Sequence, residues 1–138
     1  MRRSMKVDLV LPSTPEDAYH QFCDTSLTRL WLPGLKHLKV VRTDERGRAV
    51  EVRYSVGESL TYALVYAYDD EAKKVRWVPS AGVMDGVSGF ASFEPHAEGC
   101  SFSYSIDSRR GRQPLHAEEV AHAFAEWMAS RRKSKSSS

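Results

Sequence analysis

What this sequence lacks narrows it first. No apolar run approaches the roughly 20 residues that cross a bilayer. The start, MRRSMKVDLVLPSTPED, has only a short apolar stretch before Pro12 and the acids, which is not the pattern of a secretory signal. Cysteine is scarce. Cys23 and Cys100 stand far apart without a C-x-x-C spacing, so cytosolic free thiols are expected and a disulfide framework is not. Charge of one sign is also missing, since 138 residues carry a net +2, too little to point to nucleic acid. Neither G-x-G-x-x-G nor G-x-x-x-x-G-K-[ST] occurs, so nucleotide cofactors have no phosphate cradle here. There is no G-x-S-x-G elbow for a nucleophilic serine. His20, His37, His96, His116 and His122 include no H-x-x-x-H pair and have no second ligand cluster, so no metal is expected.

What is present is ordinary for a globular domain: 41% hydrophobic and 28% charged residues. A chain of this length buries roughly 68–70% of its unfolded surface, enough for a core without disulfides or a metal. One domain over residues 1–133 is expected, with 134–138 a disordered Ser/Lys tail. From Ser108 onward the chain carries +4, which leaves −2 on the rest. Such a basic end can meet phosphates or an anionic surface, but cations also suit the negative pole of a helix.

The hydrophobic period places the elements. Met5, Val7, Leu9 and Leu11 alternate with Lys6, Asp8 and Val10, which predicts a strand with one buried face. Thr14-Pro15-Glu16-Asp17 announces a helix: Thr14 as cap, Pro15 at the first helical position, Asp17 at capping-box spacing. Asp24 caps a second short helix bearing Leu27, Leu30 and Trp31, and Pro33-Gly34 stops it. From Leu38 to Ile106 the period becomes two. Val50, Val52, Tyr54 and Val56 form one alternating set, and Leu60, Tyr62, Leu64, Tyr66 and Tyr68 another. Val75 with Trp77, then Val87, Gly89, Ala91 and Phe93, then Phe102, Tyr104 and Ile106 continue it. Turns at Asp44–Gly47, Asp69–Lys74 and Pro95–Gly99 join them, which predicts an antiparallel meander. Pro114 opens a last helix with Val120, Ala123, Phe124, Trp127 and Met128 on one face. The fold class is α+β: a curved antiparallel sheet of about seven strands wrapped around a long C-terminal helix, with two short helices after the first strand. A curved sheet gripping one helix leaves a space between them, and apolar concavities are where small molecules bind.

At these residues the chain resembles a known family. Pro15-Glu16-Asp17-Ala18-Tyr19, Asp24 and Trp31-Leu32-Pro33-Gly34-Leu35 look like the first helices of the START-like helix-grip (SRPBCC) superfamily. Val52–Val56, Thr61–Tyr66, Val75-Arg76-Trp77 and Gly89–Pro95 with Gly99 are most similar to its polyketide cyclase/dehydrase branch, which includes coenzyme-Q-binding and lipid-transfer relatives. The resemblance spans residues 5–131. After Ile106 the chain runs Asp-Ser-Arg-Arg-Gly-Arg-Gln directly into its helix, where family members often carry a longer apolar loop.

The inward faces supply the candidate site: Tyr54, Tyr62, Leu64, Tyr66, Trp77, Phe93 and Tyr104 from the strands, Phe124 and Trp127 from the helix. The set is rich in tyrosine, and a buried phenol needs a partner for its hydroxyl. The rings either line a cavity with polar points or stand at the sheet rim with hydroxyls in water. Gly89 and Ala91 are expected to leave room. Arg53 and Arg76 alternate outward, so no cation or acid is expected among the tyrosines. Cys23 is read as a packed, inert thiol and Asp85 as an exposed loop residue. No catalytic residue is assigned and no cofactor is expected.

The expected function is binding of a hydrophobic or aromatic small molecule (lipid, quinone or polyketide-like) between sheet and helix. An aromatase/cyclase-type enzyme and a ligand-free protein-interaction module are the alternatives. The expected setting is cytoplasmic, without stable membrane insertion or nucleic acid, as a monomer or weak dimer.

Overall fold

A computed structural model describes residues 3–56, 60–80, 87–108 and 117–136. The elements are β1 (Arg3–Leu11), α1 (Pro15–Cys23), α2 (Thr25–Trp31), β2 (Leu35–Thr43), β3 (Ala49–Val56), β4 (Leu60–Asp69), β5 (Lys74–Pro79), β6 (Val87–His96), β7 (Gly99–Ser108) and α3 (Ala117–Ser136).

The two short helices begin where capping chemistry places them. The Asp17 amide donates to Thr14 Oγ1 at 3.1 Å, with Pro15 in the first turn. Asp24 Oδ1 accepts from the Ser26 amide at 3.0 Å and opens α2. Gly34 lies beyond that helix at φ 73°, a conformation most side chains avoid. Pro114, expected to open the last helix, lies outside the described residues.

Seven strands form one antiparallel sheet in the order β1-β7-β6-β5-β4-β3-β2. The meander from β2 to β7 is completed by β1, which pairs with β7 from Arg3↔Ser108 to Leu11↔Cys100. Since β1 and β2 are opposite edges, the chain must cross the sheet between them, and α1 and α2 make that crossing on the inner face. At the β2 edge the register slips between Leu35 and His37, between Val40 and Arg42 and between Arg42 and Thr43. Such irregularities bend a strand and break its alternation. Leu38 is accordingly the one buried side chain of β2, and Val40 stands exposed.

The core lies between the inner face and the helices. Leu11, Val52, Val75, Phe93 and Phe102 from the strands meet Val120, Phe124 and Met128 from α3. α3 packs chiefly on β1 and also touches β7 and α2. Among the described residues its main cover therefore falls on the β1–β7 half of the sheet. Gly99, at φ 141°, begins β7, and a Cβ there would stand 2.3 Å from the Leu11 carbonyl oxygen. That close approach lets the first and last strands meet.

Candidate functional site

The inner face divides into two aromatic regions. In the first, Phe93 and Phe102 stack with centroids 5.1 Å apart, and Phe124 stands 5.3 Å from Phe102 and 5.0 Å from Trp31. Phe93, Phe102 and Phe124 are sealed from solvent. Two expected site residues, Phe93 and Phe124, belong to this packed region. Trp127 flanks it, 6.0 Å from Phe124, half-buried and covered by the Arg131 guanidinium at 4.7 Å.

The second region is a wall on β3, β4, β5 and β7. Register brings Tyr66 opposite Trp77, Trp77 opposite Gly89, and Ala91 opposite Tyr104. Trp77 is thus flanked by Tyr66 at 6.0 Å and Tyr104 at 5.5 Å. The Tyr54 and Tyr66 hydroxyls bond each other, and the Tyr68 hydroxyl donates to the Ala49 carbonyl. The Tyr104 hydroxyl has no hydrogen-bond partner among the described residues. Tyr54 and Tyr104 are buried as residues. Leu64, also buried, lies beside them on β4. Tyr62 pairs through its backbone with Tyr54; its side chain lies outside the described residues.

Phe22 of α1 joins the regions. Its ring meets Trp31, Trp77, Phe93, Phe102, Tyr104 and Phe124 and yet is half-buried, as are Tyr66 and Tyr68. Phe22 thus bridges the two regions while the residue as a whole keeps some accessible surface.

The wall disfavours negative charge. Burial pushes the Tyr54 phenol up to about 12 and those of Tyr66, Tyr68 and Tyr104 clearly above their ordinary value. The cysteines behave alike: burial raises Cys23 to about 12 and Cys100 to about 11, so both are poor nucleophiles at neutral pH.

Gly89 does not leave the expected room. A Cβ there would lie 2.0 Å from the Ser105 carbonyl oxygen and 3.1 Å from Trp77 Cζ2. Glycine is required because the backbone of β7 and the edge of Trp77 already occupy that place. Ala91 is likewise sealed.

Sequence reasoning missed a charge cluster at one end of the wall. The Tyr19 hydroxyl donates to Asp70 Oδ1 at 2.8 Å. Arg48 reaches Asp70 at 2.6 Å and Asp44 at 3.0 Å, Arg46 reaches Asp70 at 3.0 Å, and the Arg48 guanidinium lies 4.4 Å over the Tyr68 ring. The hydrogen bond from Tyr19, then Arg48, holds the Asp70 carboxyl below its usual range. Residues 44–48 and 70–73 read as separate solvated turns in sequence. In a meander the β2–β3 and β4–β5 turns fall at the same end of the sheet, and that parity was the available signal.

Other candidates lie elsewhere. Arg53 and Arg76 are exposed, as their alternation predicted, and so are His20, His37, His96 and His122. Asp85 and His116 lie outside the described residues. Among the described residues no three His, Cys, Asp or Glu side chains gather as a metal site, and no helix is long and apolar enough to cross a membrane.

No family model matches the chain, and neither does any curated protein. Solved structures do. A Thermus thermophilus protein superposes with TM-score 0.77 at 17% identity, over 94% of this chain and 99% of its own. A Mycobacterium smegmatis protein described as a START superfamily member gives 0.65 at 17%, over 96% and 92%. An aromatase/cyclase from a Streptomyces species gives 0.67 at 14%, over 96% and 87%. At such identities likeness shows fold and not activity. With the seven-stranded antiparallel sheet, the paired short helices after β1 and the long last helix, it shows that this chain has the START-like helix-grip (SRPBCC) fold.

Proposed function

We propose that the protein binds a hydrophobic or aromatic small molecule on the inner face of β3, β4 and β5, between the sheet and the helices. The observation that carries this reading is Phe22, whose ring meets six others although the residue is only half-buried. Tyr54, Leu64, Tyr66, Trp77 and Tyr104 form the wall against which the ligand lies, and Tyr62, expected from its alternation to join them, is proposed with them. Phe93, Phe124 and Trp127 close the site on the side of α3. The charge cluster of Tyr19, Arg48 and Asp70 supports entry from the opposite end of the sheet, because it ties α1 to two turns.

Binding is favoured over a cyclase reaction by the charges. A cyclase would need a cation or acid to polarise a carbonyl and hold an enolate. Arg53 and Arg76 point away, and Arg48 is engaged by two carboxylates. The aromatase/cyclase among the structural neighbours is thus a relative in fold, and its reaction is not carried over.

Native mass spectrometry of the purified protein, followed by solvent extraction, tests the reading. A co-purifying apolar molecule that is lost in Trp77→Ala, with the fold intact by circular dichroism, is the expected result. A bound molecule retained at full occupancy in that variant would move the site off this wall.

A further inference from the structure

The wall has more proton donors than it consumes. Tyr54, Tyr66 and Tyr104 carry one phenol proton each, and the bond between Tyr54 and Tyr66 uses one. The second proton of that pair and the proton of Tyr104 have no acceptor among the described residues. The Tyr66 and Tyr104 rings flank Trp77, and the spare proton of the pair sits on Tyr54 or Tyr66 according to which of them donates. Trp77 is itself buried, so a planar molecule reaches these donors by inserting beside its ring, next to Tyr66 and Tyr104.

Among the described residues these surroundings give a charged oxygen no counter-ion. Of the cations stacked on described rings, Arg48 covers Tyr68 and is bound by Asp44 and Asp70, Arg131 covers Trp127, and Lys74 covers Phe90. None covers Tyr54, Tyr66, Tyr104 or Trp77. A carboxylate drawn from water onto this wall would lose its hydration without gaining an ion pair. Burial already raises the nearby phenols, which is the same penalty felt by the protein's own groups.

We propose that the ligand of this wall is an uncharged planar molecule bearing a carbonyl or equivalent oxygen acceptor, held by the spare phenol protons of the Tyr54–Tyr66 pair and Tyr104, and that carboxylates are rejected. The proposal rests on the binding reading above and narrows its ligand from any apolar molecule to neutral, oxygen-bearing ones. Free fatty acids and aromatic acids fall outside it.

Three probes of one shape test it: 2-acetylnaphthalene as the neutral ketone, 2-ethylnaphthalene without an acceptor, and 2-naphthoate as the anion. Binding is followed at pH 7 by tryptophan fluorescence. Two hydrogen bonds should give the ketone roughly a tenfold or greater advantage over the ethyl compound, with 2-naphthoate the weakest. Tyr104→Phe should remove several-fold of that advantage and leave 2-ethylnaphthalene within about twofold. Tyr66→Phe is the second variant, so that a folding failure in one leaves the other. Equal binding of ketone and ethyl compound would overturn the hydroxyl role and spare the binding reading. Tightest binding by 2-naphthoate would overturn the claim of neutrality. If none of the three binds, both this proposal and the binding reading fall.

Discussion

The phenylalanine region and the tyrosine region occupy neighbouring strands of one sheet, yet they are built on different rules. Phe93, Phe102 and Phe124 are sealed by each other, by Phe22 and by the body of α3. They carry no polar atom, so sealing them costs nothing beyond side-chain entropy. Tyr54, Tyr66, Tyr68 and Tyr104 line the half that α3 covers less, and each brings a hydroxyl that must find a partner. Tyr68 finds one in the Ala49 carbonyl and Tyr54 and Tyr66 find each other. Tyr104 finds none among the described residues. One sheet therefore supplies a dry anchor that fixes the helix and a polar-dotted wall that is not fully satisfied from within.

Substitutions can break this contrast. Phe124→Ala should cost about 3–5 kcal/mol in denaturant unfolding, because a sealed ring leaves a cavity. Tyr66→Ala should cost clearly less, since that ring is half-buried. Equal losses would erase the distinction. Phe102→Tyr should be destabilising by about 1–3 kcal/mol, because it puts an unpaired hydroxyl into the dry half. The reverse change in the wall, Tyr66→Phe, should cost about 1 kcal/mol or less.

Alkaline titration sharpens the comparison further. Of the six tyrosines, Tyr19, Tyr54, Tyr66, Tyr68 and Tyr104 have phenols raised above the ordinary value. An acid harder to ionise when folded is ionised first in the unfolded chain. Stability is thus intact below about pH 10 and falls as pH rises beyond it. Tyrosinate absorbance should appear together with loss of the folded circular dichroism signal, and free titration of all the phenols at pH 10 in the folded protein would refute the burial. The smallest effect is expected at the charge cluster. Asp70 is held low by Tyr19 and Arg48, so its contribution is present at neutral pH and is lost as pH falls through its folded value. Asp70→Asn should lower stability at pH 7 by less than about 1 kcal/mol, the pair being partly exposed, and should flatten the acid limb.

Much of the fold was legible because burial on one face imposes a period of two, and Thr14, Asp24 and Gly34 mark their boundaries chemically. The burial of Val52, Tyr54, Leu64, Trp77, Phe93, Phe102, Tyr104 and Ile106 followed from parity alone. What escaped depended on contacts between distant strands. Gly89 looked like a space-saving residue, but the approach of the Ser105 backbone is invisible in one strand's sequence. The Arg48–Asp70–Tyr19 cluster joins two turns and a helix, and each partner alone reads as solvated. The pairing of Tyr54 with Tyr66 skips a strand position, so alternation could place both rings inward without saying which hydroxyls meet. The slips of β2 exposed Val40 where a regular strand would have buried it.

The central claim is that the tyrosine wall takes the ligand and the phenylalanine region does not. Its most direct test is an NMR titration of isotopically labelled protein with 2-acetylnaphthalene. The account predicts that shifts concentrate on Tyr54, Tyr66, Trp77, Tyr104 and Phe22, while Val10, Val41 and Val78 on the exposed surface stay still. Shifts centred on Phe93, Phe102 and Phe124, or on those exposed valines, with the wall residues unmoved, would contradict it.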